Sequence, residues 1–154
     1  MKSCVEKFAA GFVFAVSLIA TSLVGVSASS AEELTIVSGD VSHKFNVEVV
    51  SSDAARAKGL MFRRRMAADA GMLFDFQREQ PISMWMRNTY ISLDMIFAYK
   101  NGTIHRIAEH TEPHSEKTIT SGEDVRYVLE INGGMAGKLK LAPGDRIEHP
   151  LIGN

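Results

Sequence analysis

The chain has little of what holds small exported or metal-bound domains together. A single cysteine, Cys4, occurs in 154 residues, and only 4 are proline. One thiol excludes an intramolecular disulfide framework, and its position near the amino terminus leaves no thiolate for a zinc site or thiol catalysis in the body of the chain. Basic charge is not in surplus either: 17 Lys and Arg face 18 Asp and Glu, for a formal charge of −1. That balance argues against nucleic acid as a partner, because phosphate binding draws on a cationic excess. Low-complexity runs and internal repeats are absent as well. With 45% hydrophobic and 23% charged residues, the composition is that of a folded globular protein.

The amino terminus is the exception to that ordinary composition. Met1 to Lys7 carries two lysines, Phe8 to Val26 carries no charged side chain, and Ser27-Ala28-Ser29-Ser30-Ala31 is a run of small residues. A basic start, an apolar stretch and a small-residue exit are the parts of a secretory leader. The expectation is a signal peptide over 1–31, cut after Ala31 or Ala28, and a periplasmic or secreted domain over 32–154. An uncleaved anchor is the competing reading, which Gly11, Gly25 and the lack of a following basic cluster disfavour. Cys4 precedes the apolar stretch, so it does not fit lipid attachment. Without residues 1–31 the chain keeps 15 Lys and Arg against 17 Asp and Glu, has no thiol, and has the length of one domain.

Periodicity over 32–154 is dominated by a repeat of two. Phe45, Val47 and Val49 alternate with Asn46 and Glu48, and Val125, Tyr127, Leu129 and Ile131 alternate with Arg126 and Glu130. Met72, Phe74 and Phe76 share a face after Gly71. Pro81 begins a further segment in which Met84 and Met86 oppose Trp85 and Arg87. Leu93–Tyr99 is apolar on both faces apart from Asp94, and Asn101-Gly102 is a hairpin signal leading into Thr103–Glu109. The polar stretch His110–Asp124 reads as a long loop. A short helix over Ala54–Lys58 has Ser51-Ser52-Asp53 for its cap and Gly59 for its stop, and Met135–Leu139 offers a second helical turn. Pro143-Gly144-Asp145 precedes a last strand, Arg146–His149. These elements predict a mainly β fold, a single compact barrel or sandwich of jelly-roll type with one or two short helices.

Four stretches carry a resemblance. Lys58-Gly59-Leu60-Met61-Phe62-Arg63, Gly71-Met72-Leu73-Phe74, Trp85-Met86-Arg87-Asn88-Thr89 with Ile91-Ser92-Leu93-Asp94, and Val128-Leu129-Glu130 followed by Gly144-Asp145-Arg146 resemble the domain of unknown function 192 family. The resemblance spans about Val47 to Ile147. It implies a small, often exported, mainly β domain with a barrel or jelly-roll-like body, and it implies fold and location far more than activity. The chain departs from the family's habit at Met84, where an aromatic is usual, at Arg87, where Lys is usual, and at Ser92, where Pro is usual.

Candidate chemistry concentrates around Asp94. A carboxylate within a buried run costs several kcal/mol unless paired, so Asp94 either accepts backbone N–H groups, expected from the Asn88–Ser92 bend, or stands at the mouth of a site. Trp85, Arg87, Asn88 and Thr89 form a kit for a polar ring such as a sugar, with a core tryptophan beside a turn-forming Asn as the plainer reading. Arg63 is the expected partner of Asp94, and Arg64 and Arg65 read as surface. The ligand-binding set expected from sequence is therefore Arg63, Trp85, Asn88 and Asp94.

Other constellations are weaker. A hydrolase reading pairs Asp94 with Glu130, although Glu130 alternates outward on its strand and reads as exposed or ion-paired. A copper site would draw on Met84, Met86, His105, His110 and His114, without a recognised ligand spacing. Gly133–Lys138 has the wrong spacing for a phosphate loop, and no Gly-x-Ser-x-Gly elbow or Ser-x-x-Lys occurs. The balance favours a non-catalytic module for a small molecule or envelope component, without a cofactor or nucleic acid, and touching membrane only through its leader.

Overall fold

The computed structural model describes residues 31–153. The leader expected over 1–31 lies outside these, apart from Ala31. Seven strands form one sheet: β1 (Glu32–Ser38), β2 (Val41–Val50), β3 (Ala70–Met84), β4 (Leu93–Ala98), β5 (Ile104–Ala108), β6 (Ile119–Asn132) and β7 (Arg146–Glu148). Their order across the sheet is β5-β4-β6-β3-β2-β1-β7. Only β2 and β3 pair in parallel; every other pair is antiparallel. The fold is mainly β, a curled half-barrel with two short helices, as the period-two pattern predicts. Among the described residues no helix is long and apolar enough to cross a membrane.

The two outer strands meet at one end. The Ile104 N–H donates to the Asp145 carbonyl, the Gly144 N–H to Ile104, and the Ile147 N–H to Gly102, each at 2.8 Å. A bridge between Thr103 and Arg146 completes this seam. Inside the curl lies one apolar cluster, which includes Leu34, Ile36, Phe45, Leu73, Ile96, Leu129, Ile131 and Ile147. A second cluster sits on the opposite face and includes Leu60, Met72, Phe74, Met86, Leu93, Met95, Phe97 and Val128. The central strands β3, β4 and β6 are thus buried on both faces, which explains why all six residues of β4 are inaccessible.

The helices fall where the capping signals place them. Helix α1 (Asp53–Lys58) is capped by the Ser52 side chain, which accepts from the Ala55 N–H at 3.3 Å. It stops at Gly59, whose φ of +45° would strain a side chain and whose Cα faces the Phe74 ring. Helix α2 (Met135–Leu139) follows Gly134.

Two expectations need correction. Pro81 does not open a separate element: β3 runs unbroken from Ala70 to Met84, and its register against β6 shifts between Asp75 and Gln80. Such an irregularity lets one strand bend and carry a proline. Likewise the loop expected over His110–Asp124 ends early, because β6 begins at Ile119 and pairs with Met84.

Candidate functional site

Asp94 and Glu130 are neighbours across the ladder of β4 and β6 and yet point to opposite faces. Asp94 stands opposite Ile131, while Glu130 stands opposite Met95 on one side and Met72 on the other. Asp94 therefore shares the inner face with Ile131, and Glu130 shares the outer one with the two methionines.

The Asp94 carboxylate is fully buried, and both of its oxygens accept backbone N–H groups. One oxygen accepts the N–H groups of His110 at 2.8 Å and Gly134 at 2.9 Å. The other accepts the Ala136 N–H at 2.8 Å. It joins the turn after β5 to the first turn of α2, where free N–H groups need an acceptor. Gly134 adopts φ +83°, and the His110 ring packs where its Cβ would stand. The donors are thus not those of the Asn88–Ser92 bend expected from sequence. Nor is Arg63 the partner: its guanidinium grips the Glu48 carboxylate through two bonds of 2.6 Å. The Arg63 hydrogen bond holds the Glu48 pKa below the usual carboxylate range.

Glu130 is the opposite case. It is 4% exposed, and among the described residues no side chain or backbone group hydrogen-bonds its carboxyl. Burial alone pushes its pKa up to about 8. The exposed or ion-paired side chain expected from alternation is therefore corrected. Outward from the curl does not mean outward to water here, because the second apolar cluster covers that face.

Glu130 opens onto a cavity of about 180 Å³. Helix α1 and its exit supply Arg56, Lys58, Leu60 and Met61 to the wall, and β3 supplies Phe74, Phe76, Ser83 and Met84. Trp85 and Thr89 close the remaining side. The Trp85 indole is 49% exposed. Arg56 is already held: it donates to the Ser51 carbonyl, to the Asp75 carbonyl at 2.9 Å and to Asp53, and its guanidinium lies over the Phe76 ring. The loops on either side are clasped by the Phe62 N–H, which donates to the Asn88 carbonyl at 2.9 Å, with both residues in the left-handed region. A phenylalanine at φ +66° is strained, and this clasp holds it there.

Of the four residues expected to bind ligand, Trp85 lines this cavity. Asn88 supports the loop behind Met61, Arg63 faces Glu48, and Asp94 lies on the other side of the sheet. Thr89 also lines the wall, its hydroxyl donating to the Arg87 carbonyl at 3.3 Å. Arg64 and Arg65 are exposed, and Arg64 lies over the Tyr90 ring. Ser92, where the family favours proline, uses its hydroxyl to bond the Thr111 carbonyl at 2.9 Å.

The histidines suggested for copper diverge. His105 meets the Tyr99 hydroxyl at 2.9 Å, His110 packs on Gly134, and His114 stacks edge-on against Tyr90. Met86 receives the Thr111 hydroxyl at 3.1 Å. Among the described residues no group of three or more His, Cys, Asp or Glu is placed to hold a metal ion.

The chain is similar to one described family and to two solved structures. A family model described as Uncharacterized ACR, domain of unknown function 192, matches residues 33–149. A crystal structure of a candidate transcription regulator from Sinorhizobium meliloti 1021 is 46% identical, with a TM-score of 0.76, over 79% of this chain and 95% of that one. A protein of unknown function from Novosphingobium aromaticivorans DSM 12444 is 35% identical, with a TM-score of 0.77, over 80% of this chain and 89% of that one. None of the curated proteins matches.

Proposed function

The chain belongs to the domain of unknown function 192 family, and from that premise we propose that it is a non-catalytic binding module whose site is the cavity between α1, β3 and Trp85. One observation carries this reading: the Glu130 carboxyl, which no protein group among the described residues hydrogen-bonds, is open to a cavity whose wall it forms. A carboxyl left to the protein's own groups without a partner, and open to a cavity, has hydrogen-bonding capacity that a ligand can take up in place of water. The half-exposed indole at the mouth offers a flat apolar platform to a ring, so a small ring-bearing molecule of the envelope is the ligand class proposed there, with carbohydrate as the alternative that the screen below tests. The secretory leader expected at 1–31 belongs to the same proposal, which places the module in the periplasm or outside the cell.

The hydrolase alternative rested on Asp94, with or without Glu130. Their side chains lie on opposite faces of the sheet, and Asp94 is saturated by three N–H groups, so no acid–nucleophile pair is available to them. A candidate transcription regulator among the similar structures invites a nucleic-acid reading, which the charge balance does not favour.

The test is a thermal-shift screen of the protein against sugars, cell-wall fragments and small polar aromatics. A hit that raises the melting temperature and loses its effect in Trp85→Ala, while keeping it in Arg65→Ala on the exposed surface, supports the cavity. A ligand saturating at 100 times its Kd adds about 2.7 kcal/mol, well within detection. Hits indifferent to Trp85→Ala would remove the cavity as the binding site.

A further inference from the structure

We propose that the cavity selects a protonated amine, seating its ammonium on the Glu130 carboxylate and its carbon body against the surrounding rings and thioethers. This rests on reading the cavity as a binding site and adds which chemistry the site accepts.

The argument is one of matching groups. A ligand rich in hydroxyls needs several donors and acceptors around it, and the wall offers few. Apart from Glu130 these are the Ser83 and Thr89 hydroxyls, the Trp85 indole N–H, Arg56 and Lys58; the Thr89 hydroxyl already donates to Arg87, and only Glu130 among them is an acidic acceptor. An anionic head would need a free cation inside. Arg56 is tied to two carbonyls and Asp53, and Lys58 is exposed at the rim, where its charge acts on Glu48. What the interior holds is one potential negative charge among apolar surfaces. Phe74, Phe76 and Trp85 supply aromatic rings, whose faces attract cations, and Met61 and Met84 supply polarizable sulfur. Arg56 lies over Phe76 at 4.9 Å and Arg87 over Trp85 at 5.8 Å, so a ligand ammonium competes with the chain's own cations at one face of each of these two rings.

The charged groups facing Glu130 bear on how proton and ligand compete. Helix α1 contributes Arg56 and Lys58; β3, β6 and the Trp85–Thr89 segment contribute no other titratable side chain to the wall. Below about pH 8 the Glu130 carboxyl is mostly protonated. Seating an ammonium then expels one proton to solvent and leaves a carboxylate–ammonium pair. Affinity for an amine therefore rises with pH, by up to about 10-fold per unit, until the carboxyl is ionised in the free protein. A neutral hydrogen-bond acceptor shows the reverse, because it needs the O–H form.

Calorimetric titration with benzylamine and benzyl alcohol, between pH 6 and 8.5, reads this directly, since the two probes share shape and differ in charge. The expected result is benzylamine binding at least about 10-fold tighter at pH 8, strengthening from pH 6 to 8 and releasing a proton at the lower pH. Glu130→Gln, checked for fold by circular dichroism, should lose about 10-fold in benzylamine affinity together with its pH trend. Benzyl alcohol binding as tightly as the amine, in a manner sensitive to Trp85→Ala, would overturn the ammonium while leaving the cavity as a site. Binding of benzylamine unchanged in Glu130→Gln, or absent altogether, overturns it too, and the ligand screen above then decides the cavity separately.

Discussion

Two buried carboxyl groups stand side by side on this sheet and live under opposite rules. Asp94 accepts three backbone N–H groups, from His110, Gly134 and Ala136, and in doing so fixes the turn before α2. Glu130, one ladder position away on the other face, accepts none and opens onto a cavity. Both are nearly inaccessible; what differs is that the protein hydrogen-bonds one and leaves the other to the cavity. A saturated carboxylate is a structural joint, whereas an unsatisfied one beside a hollow is a group with unused capacity, so burial by itself identifies neither.

The contrast can be broken most forcefully at Asp94. Asp94→Ala leaves three N–H groups without their acceptor and should cost about 4–5 kcal/mol, or prevent folding, by urea denaturation. A loss under about 1 kcal/mol would mean that water or neighbouring groups replace the carboxylate, and the joint would be no joint.

Glu130 sharpens the comparison through pH. Its folded pKa, near 8, lies above that of an unfolded carboxyl. Between these two values the folded state holds one more proton than the unfolded state, so stability falls as pH rises and levels off above pH 8. The expected slope from this group is about 1 kcal/mol per pH unit, below the ideal 1.4 because the cavity admits water. Glu130→Gln should remove that slope, so the variant overtakes the parent protein in stability on moving from pH 5 to pH 8. Parallel curves for the two proteins would show that Glu130 has a partner in solution.

The smallest expected effect is at Trp85. Half of its surface is in water, so Trp85→Ala should change stability by no more than about 1 kcal/mol while abolishing ligand response. A much larger loss would reassign the indole from the site to the core.

Sequence revealed most of the strands, because period-two alternation and turn residues are local signals, but it did not single out β1, broke β3 at Pro81 and read the start of β6 as loop. The cap at Ser52, the stop at Gly59 and the extent of α2 followed from the same kind of information. The site was less legible. Alternation across Val125, Tyr127, Leu129 and Ile131 says which residues face inward, but not what covers the other side. The clue was Val128, an apolar residue at an outward position, as in Leu93–Ala98 where both faces are apolar. A strand apolar on both sides is covered on both sides, and Glu130 then has to be buried. Arg63 misled because its partner Glu48 lies on β2, and sequence does not announce which carboxylate a guanidinium finds.

The seam that joins Gly102–Ile104 to Gly144–Ile147 has a bearing on solubility. Any flat sheet of seven strands has two raw borders on which a second copy could continue hydrogen bonding. Here those borders are only five and three residues long, and they are curled round until they satisfy one another at one end. Fibre growth by edge addition is thereby denied its template, and this protection comes from backbone geometry alone, with no cross-link required.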